Sequence, residues 1–167
     1  MGNSYYLLLF FLFIAGFGLN FLPFVTMGVG GMNIKPNPFD LHTVTPYLVI
    51  ADVTRLIDFL KTVFDATTRG EPHLDGKRIS HAEVRIGDSV IMMGEPLDQS
   101  DVRPATLHVY VDDCDQRMKK AIEAGASVLR EPGDMPHGDR IGGVKDFAGN
   151  QWWMVEHIGK QSAQTIP

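Results

Sequence analysis

A chain of 167 residues with a net charge of −5 has the length of one compact domain and lacks the clustered Lys and Arg that binding to phosphate backbones requires, which excludes a nucleic-acid partner. All of that charge lies beyond residue 31, because the first 31 residues hold no Asp, Glu, Lys, Arg or His. The single cysteine, Cys114, excludes an intrachain disulfide, fits a reducing compartment and reads as a buried thiol rather than a nucleophile.

The leader, residues 1–31, opens with Tyr5-Tyr6-Leu7-Leu8-Leu9-Phe10-Phe11 and stays uncharged and apolar to about Val29, long enough to span a bilayer. It has no basic start and no Ala-x-Ala cleavage site, so it does not read as a secretory signal. Two readings remain open: a membrane anchor over residues 5–29 interrupted by Asn20 and Pro23, or upstream sequence translated from a misplaced start, with Met32 as the ordinary N-terminus. Lys35 favours a cytoplasmic domain after the anchor, if there is one. Residues 32–167 are expected to fold by themselves. Residues 32–41, with Pro36 and Pro38, form an extended lead-in.

A strand is expected over 43–51, then a helix from Val53 to Phe64 with Leu56, Ile57, Leu60, Val63 and Phe64 on one stripe. Strands follow over 67–72, 79–86 and 89–93, with turns at Asp75-Gly76 and Gly87-Asp88. A polar link over 95–104 leads to a strand at 106–111. Next comes a helix over 114–124 that buries Cys114, Met118, Ala121 and Ile122 and exposes Arg117, stopped by Gly125. Further strands are expected over 127–131, 140–145 and 151–156, and 159–167 is a loose tail.

The second half copies the first at an offset of 60 residues: Val49-Ile50-Ala51-Asp52 returns as Val109-Tyr110-Val111-Asp112, Ala66-Thr67 as Ala126-Ser127, and Glu71-Pro72 as Glu131-Pro132. The fold class is therefore α+β, two tandem βαβββ modules over about 42–95 and 105–158 forming a cupped, barrel-like mixed sheet. Strand alternation puts Ala82, Val84, Leu107 and Val109 toward the helices. Tyr47, His81, Glu83, Arg85, Thr106, His108 and Tyr110 fall on the opposite, polar and aromatic faces, suited to a small-molecule ligand.

Thr45-Pro46-Tyr47-Leu48, Asp75-Gly76-Lys77, His81-Ala82-Glu83-Val84-Arg85-Ile86-Gly87-Asp88-Ser89, Val111-Asp112-Asp113, Gly138-Asp139-Arg140 and Asp146-Phe147-Ala148-Gly149-Asn150-Gln151-Trp152 give residues 42–158 a family likeness. The chain resembles the vicinal oxygen chelate superfamily of glyoxalase I, bleomycin-resistance proteins and extradiol dioxygenases, and within it the PhnB-like branch. The resemblance implies paired modules, usually in a homodimer. It also implies a divalent ion held by one His, Glu or Gln on the first and last strand of each module. Those four slots fall on Thr45, Met92, Thr106 and Trp153, none a ligand for such an ion. No metal and no other cofactor is therefore expected.

His81, Glu83 and His108 are the candidate catalytic residues, a carboxylate beside imidazoles able to serve as an acid–base pair or a noncanonical metal site. Tyr47, Tyr110 and Trp153 can stack on a planar or cationic ligand, and Arg85 and Arg140 can capture an anionic group. The leading functional expectation is a metal-free small-molecule binding protein of the bleomycin-resistance type. The alternatives are a glyoxalase-type lyase or isomerase with Glu83 as base, and a membrane-tethered accessory protein.

Overall fold

A computed structural model describes residues 39–159. The element order is β1 (Tyr47–Val49), α1 (Val53–Phe64), β2 (Thr67–Thr68), β3 (His73–Asp75), β4 (Arg78–Ile86), β5 (Ser89–Gly94), a 3₁₀ turn (Gln99–Asp101), β6 (Thr106–Tyr110), α2 (Cys114–Glu123), β7 (Ser127–Asp134), β8 (Asp139–Lys145) and β9 (Gln151–His157). The first sheet runs β1-β5-β4-β2, with β3 also pairing β4, and the second runs β6-β9-β8-β7. Each module starts with a strand parallel to its last one, β1 with β5 and β6 with β9. The barrel-like expectation narrows to two mixed sheets that do not close into a barrel.

Both helices begin in the same way. Asp52 and Asp113 are the N-caps, accepting from the N–H groups of Arg55 and Gln116 at 2.9 Å each. A glutamate from the end of the module's last strand then takes the first helical N–H: Val53 donates to Glu95 and Cys114 to Glu156. The carboxylates satisfy groups the helix itself leaves open. This pairing corrects the repeat: Asp52 corresponds to Asp113, not Asp112, and the one-residue difference is taken up in the turns after the helices, where Ala66 and Ala126 match again.

Along β4, Ala82 and Val84 are buried while His81, Glu83 and Arg85 are only partly so, as alternation requires. Other expectations shift. The first strand is confined to Tyr47–Val49, the strand over 67–72 shortens to β2 with a separate β3 following it, and the strand after α2 runs on to Asp134. On α2, Ile122 is 45% exposed and Arg117 only 9% exposed, the reverse of the helical-stripe reading. The expected leader, most of the lead-in, and all but the first residue of the expected tail lie outside the described residues. Among the described residues, no helix is long and apolar enough to cross a membrane.

The modules meet on the helix side. Trp152, fully buried, packs its indole against Phe59 and Phe64 of α1, with ring centroids 6.4 and 5.4 Å away. Arg117 donates to the Val63 carbonyl and to Asp65 at the end of α1, and grips Asp112 with Nε and Nη2. Its hydrogen bonds hold the Asp65 and Asp112 carboxyls below the usual carboxylate range.

Two predictions follow from this packing. Val84→Asp should unfold the protein, since it puts an unpaired charge among α1 side chains, while Glu83→Gln should melt near the parent; thermal melts decide between this register and its one-residue slip. Arg117→Met should destabilise the protein at neutral pH, because it removes the cation that holds Asp65 and Asp112 and leaves the buried Val63 carbonyl without this donor. Because both carboxyls are lowered in the folded state, their contribution is full above the unfolded value and lost as pH falls through the folded one. The gap between Arg117→Met and the parent, read by urea unfolding, should therefore narrow below about pH 4.

Candidate functional site

The helix-free faces of the two sheets carry matched cross-strand rows. In the first module, Tyr47 pairs with Met92, Met92 with Glu83, and the Arg69 N–H donates to the Glu83 carbonyl. In the second, His108 pairs with Trp153, Trp153 with Gly143, and Gly143 with Arg130. Corresponding positions thus hold Tyr47 and His108, Met92 and Trp153, Glu83 and Gly143, and Arg69 and Arg130.

The first row is polar and interlocked. Glu83 meets the His81 Nε2 at 3.1 Å with one carboxylate oxygen and the Arg69 guanidinium at 3.0 Å with the other. Arg69 also donates to the Phe39 carbonyl. His81 lies between two rings, Tyr47 and His73, each with centroid 5.9 Å away. The Tyr47 hydroxyl donates to the Ser80 carbonyl over Gly94, where a Cβ would stand 2.5 Å from that hydroxyl. Only glycine at 94 allows the phenol to lie there.

The second row is aromatic. Gly143 leaves room for the Trp153 indole to lie on the sheet: a Cβ at 143 would come within 3.0 Å of the ring. His108 lies nearly parallel to that indole, 16° between planes and 6.3 Å between centroids. Tyr110, two residues on along β6, is 74% exposed at the same face.

The expected catalytic trio is therefore divided. His81 and Glu83 are joined, whereas His108 belongs to the other sheet and, among the described residues, makes no hydrogen bond or ring contact with either. Arg85 is on the expected face but is held by Asp40 and the Asp88 carbonyl. Arg140, expected to capture an anionic group of the ligand, points instead to the helix side, where it pairs with Asp115 of α2 and with Asp134. A cavity of about 380 Å³ lies in the seam where β6 faces the β4–β5 turn and the segment before β1. It is lined by Pro46, Val90, Ile91, Leu107, His108 and Tyr110 among others, and shares only His108 and Tyr110 with the expected site.

The divalent-ion slots fail on chemistry. Met92 and Trp153 occupy matching places in the two rows and offer no oxygen or imidazole, and the Thr45 hydroxyl donates to the His42 carbonyl. The residues present do not fit the ion. Asp113, Asp115 and Glu156 do bring carboxylate oxygens within 4.8 Å of one another, but the first and last cap α2 and Asp115 pairs with Arg140. Cys114 is fully buried, with burial pushing its thiol up, as befits an inert core residue.

Four participants escape a reading of the sequence. Arg69 sits inside what looks like a continuous strand, and only the break after Thr68 reveals it. Gly143 looks like a turn residue rather than the bed of an indole. Glu95 and Glu156 gain their helix-start roles from register, and their matched positions at the ends of the two modules were the available signal.

The chain matches the profile of the "Glyoxalase/Bleomycin resistance protein/Dioxygenase superfamily" over residues 41–154. An uncharacterized protein of Mycobacterium tuberculosis (strain ATCC 25618 / H37Rv) is 33% identical over 147 residues, covering 81% of this chain and 82% of its own. Among solved structures, TioX from Micromonospora sp. ML1 superposes with a TM-score of 0.55 at 24% identity, covering 69% of this chain and 99% of its own. The fosfomycin resistance protein FosX from Mesorhizobium loti does so with a TM-score of 0.51 at 16% identity, covering 71% and 92%. Both likenesses are of fold.

The flat indole gives a test. Gly143→Ala should lift the Trp153 ring from the sheet while leaving Trp152 in the core. In 5-fluorotryptophan-labelled protein, one of the two ¹⁹F resonances should move and the other stay.

Proposed function

Since the chain belongs to the glyoxalase/bleomycin resistance protein/dioxygenase superfamily, we propose that it binds a small organic molecule on the helix-free faces of its sheets without the superfamily's divalent ion. The observation that carries this reading is the substitution pattern of the matched rows. The four slots hold Thr45, Met92, Thr106 and Trp153, while the faces around them display Tyr47, His81, Glu83, Arg85, His108 and Tyr110. Aromatic rings with a few polar groups are the lining of a pocket for an organic ligand. A glyoxalase-type lyase or isomerase is the second reading, favoured by the 3.1 Å contact of His81 with Glu83.

The proposal takes the domain to be of the PhnB-like branch and to act as a cytoplasmic homodimer. Tethering to a membrane is a matter for residues 5–29, outside the described residues. The test is elemental analysis of purified protein after dialysis, beside a thermal-shift screen of small aromatic and aliphatic compounds. The expected result is far less than one Zn, Ni or Fe per chain together with a stabilising compound whose effect shrinks in Arg85→Met. One tightly held ion per chain, lost in His81→Phe or His108→Phe, overturns the reading.

A further inference from the structure

We propose, resting on the small-molecule reading above, that His81 is the group that meets the ligand and that Glu83, locked by Arg69, is a positioning residue; the site then selects a planar aromatic molecule carrying an O–H or N–H donor. Glu83 has both carboxylate oxygens engaged, one with the Arg69 guanidinium at 3.0 Å and one with His81 Nε2 at 3.1 Å. A guanidinium keeps its protons, and a carboxylate paired with it is ionised and can only accept. The proton between Glu83 and His81 therefore belongs to Nε2, and in the neutral ring the lone pair is on Nδ1. No described side chain or backbone group hydrogen-bonds that Nδ1. With its side chain 32% exposed and its ring set between Tyr47 and His73, His81 offers an oriented acceptor to a small molecule.

The sheet itself does not need this arrangement. The second module has Ile141 and Gly143 at the places of His81 and Glu83, and its strands pair without the polar set. What it supplies instead is the aromatic bed, an indole lying flat over Gly143 with the His108 ring nearly parallel beside it. A π-face accepts a planar ring, and an imidazole lone pair accepts a proton donor. Within the row of His81 itself, the Tyr47 and His73 rings, each with its centroid 5.9 Å from the imidazole, supply such a face. The ligand class that uses both is a phenol or an aromatic N–H compound, not an aliphatic acid.

The experiment uses the full chain and two probes that differ by one hydroxyl, 1-naphthol and naphthalene, with affinities read from tryptophan quenching. One hydrogen bond to an oriented acceptor should make 1-naphthol about tenfold tighter. His81→Phe should bring the two affinities together without weakening naphthalene. Separately, long-range ¹H–¹⁵N spectra of histidine-labelled protein, at a pH where the ring is neutral, should show His81 as the single Nε2–H tautomer. Glu83→Gln should convert that signature to a mixture and reduce the preference for 1-naphthol at an unchanged melting temperature. Equal affinities in the parent protein, or an Nδ1–H tautomer, overturn the inference and leave the small-molecule reading standing. Failure of both probes to bind overturns the small-molecule reading and this inference with it.

Discussion

Trp152 holds the two modules as one body. Its indole lies between Phe59 and Phe64 of the other module, and its N–H is spent on Asp146, so no part of this large side chain is left wanting a partner. Asp146 is itself buried and collects three more donors, the N–H groups of Ala148 and Asn150 and the Asn150 amide. That loop delivers the chain into β9 in the one register that sends Trp152 to the core and Trp153 to the opposite face. A slip by one residue would exchange them. The aromatic bed of the candidate site therefore depends on a buried carboxylate on the other side of the sheet.

The duplicated rows show how a symmetric scaffold becomes an asymmetric surface. At matching positions one module has glutamate beside methionine and the other glycine beneath tryptophan. The exchange is coupled: an indole can lie down only where its neighbour lacks a Cβ, and a carboxylate can stand only where its neighbour is slim and flexible. The helix starts are alike in both halves, with the same Asp and Glu at each.

Much of this was legible in the chain. The alternation of Ala82 and Val84 with His81, Glu83 and Arg85 fixed the face of β4, and the stripe from Leu56 to Phe64 fixed α1, because both depend on local periodicity. What escaped depends on partners distant in sequence. Arg117 reads as a surface residue until the Val63 carbonyl of the other module is there to accept from it. Arg140 reads as a ligand-binding residue until α2 brings Asp115 within reach. The doublet Asp112-Asp113 hid the true repeat, since either aspartate can serve as cap by sequence alone and only the hydrogen bond to Gln116 identifies the one that does.

The paired carboxylates at the helix starts have a further consequence for how such a chain can be rearranged. Each glutamate joins the last strand of a module to the first turn of that same module's helix, so each half closes on itself without borrowing a group from the other. The natural break points are thus in the connector around the 3₁₀ turn, where a cut leaves both halves with a complete helix start. Complementing fragments, permuted termini or exchange of halves between two chains would each have to rebuild the contacts of Trp152 and Arg117, the Lys120–Asp65 pair and the stacking of Arg55 on Phe147. A duplicated gene needs such joints, because they let one half change its surface while the other keeps the molecule folded.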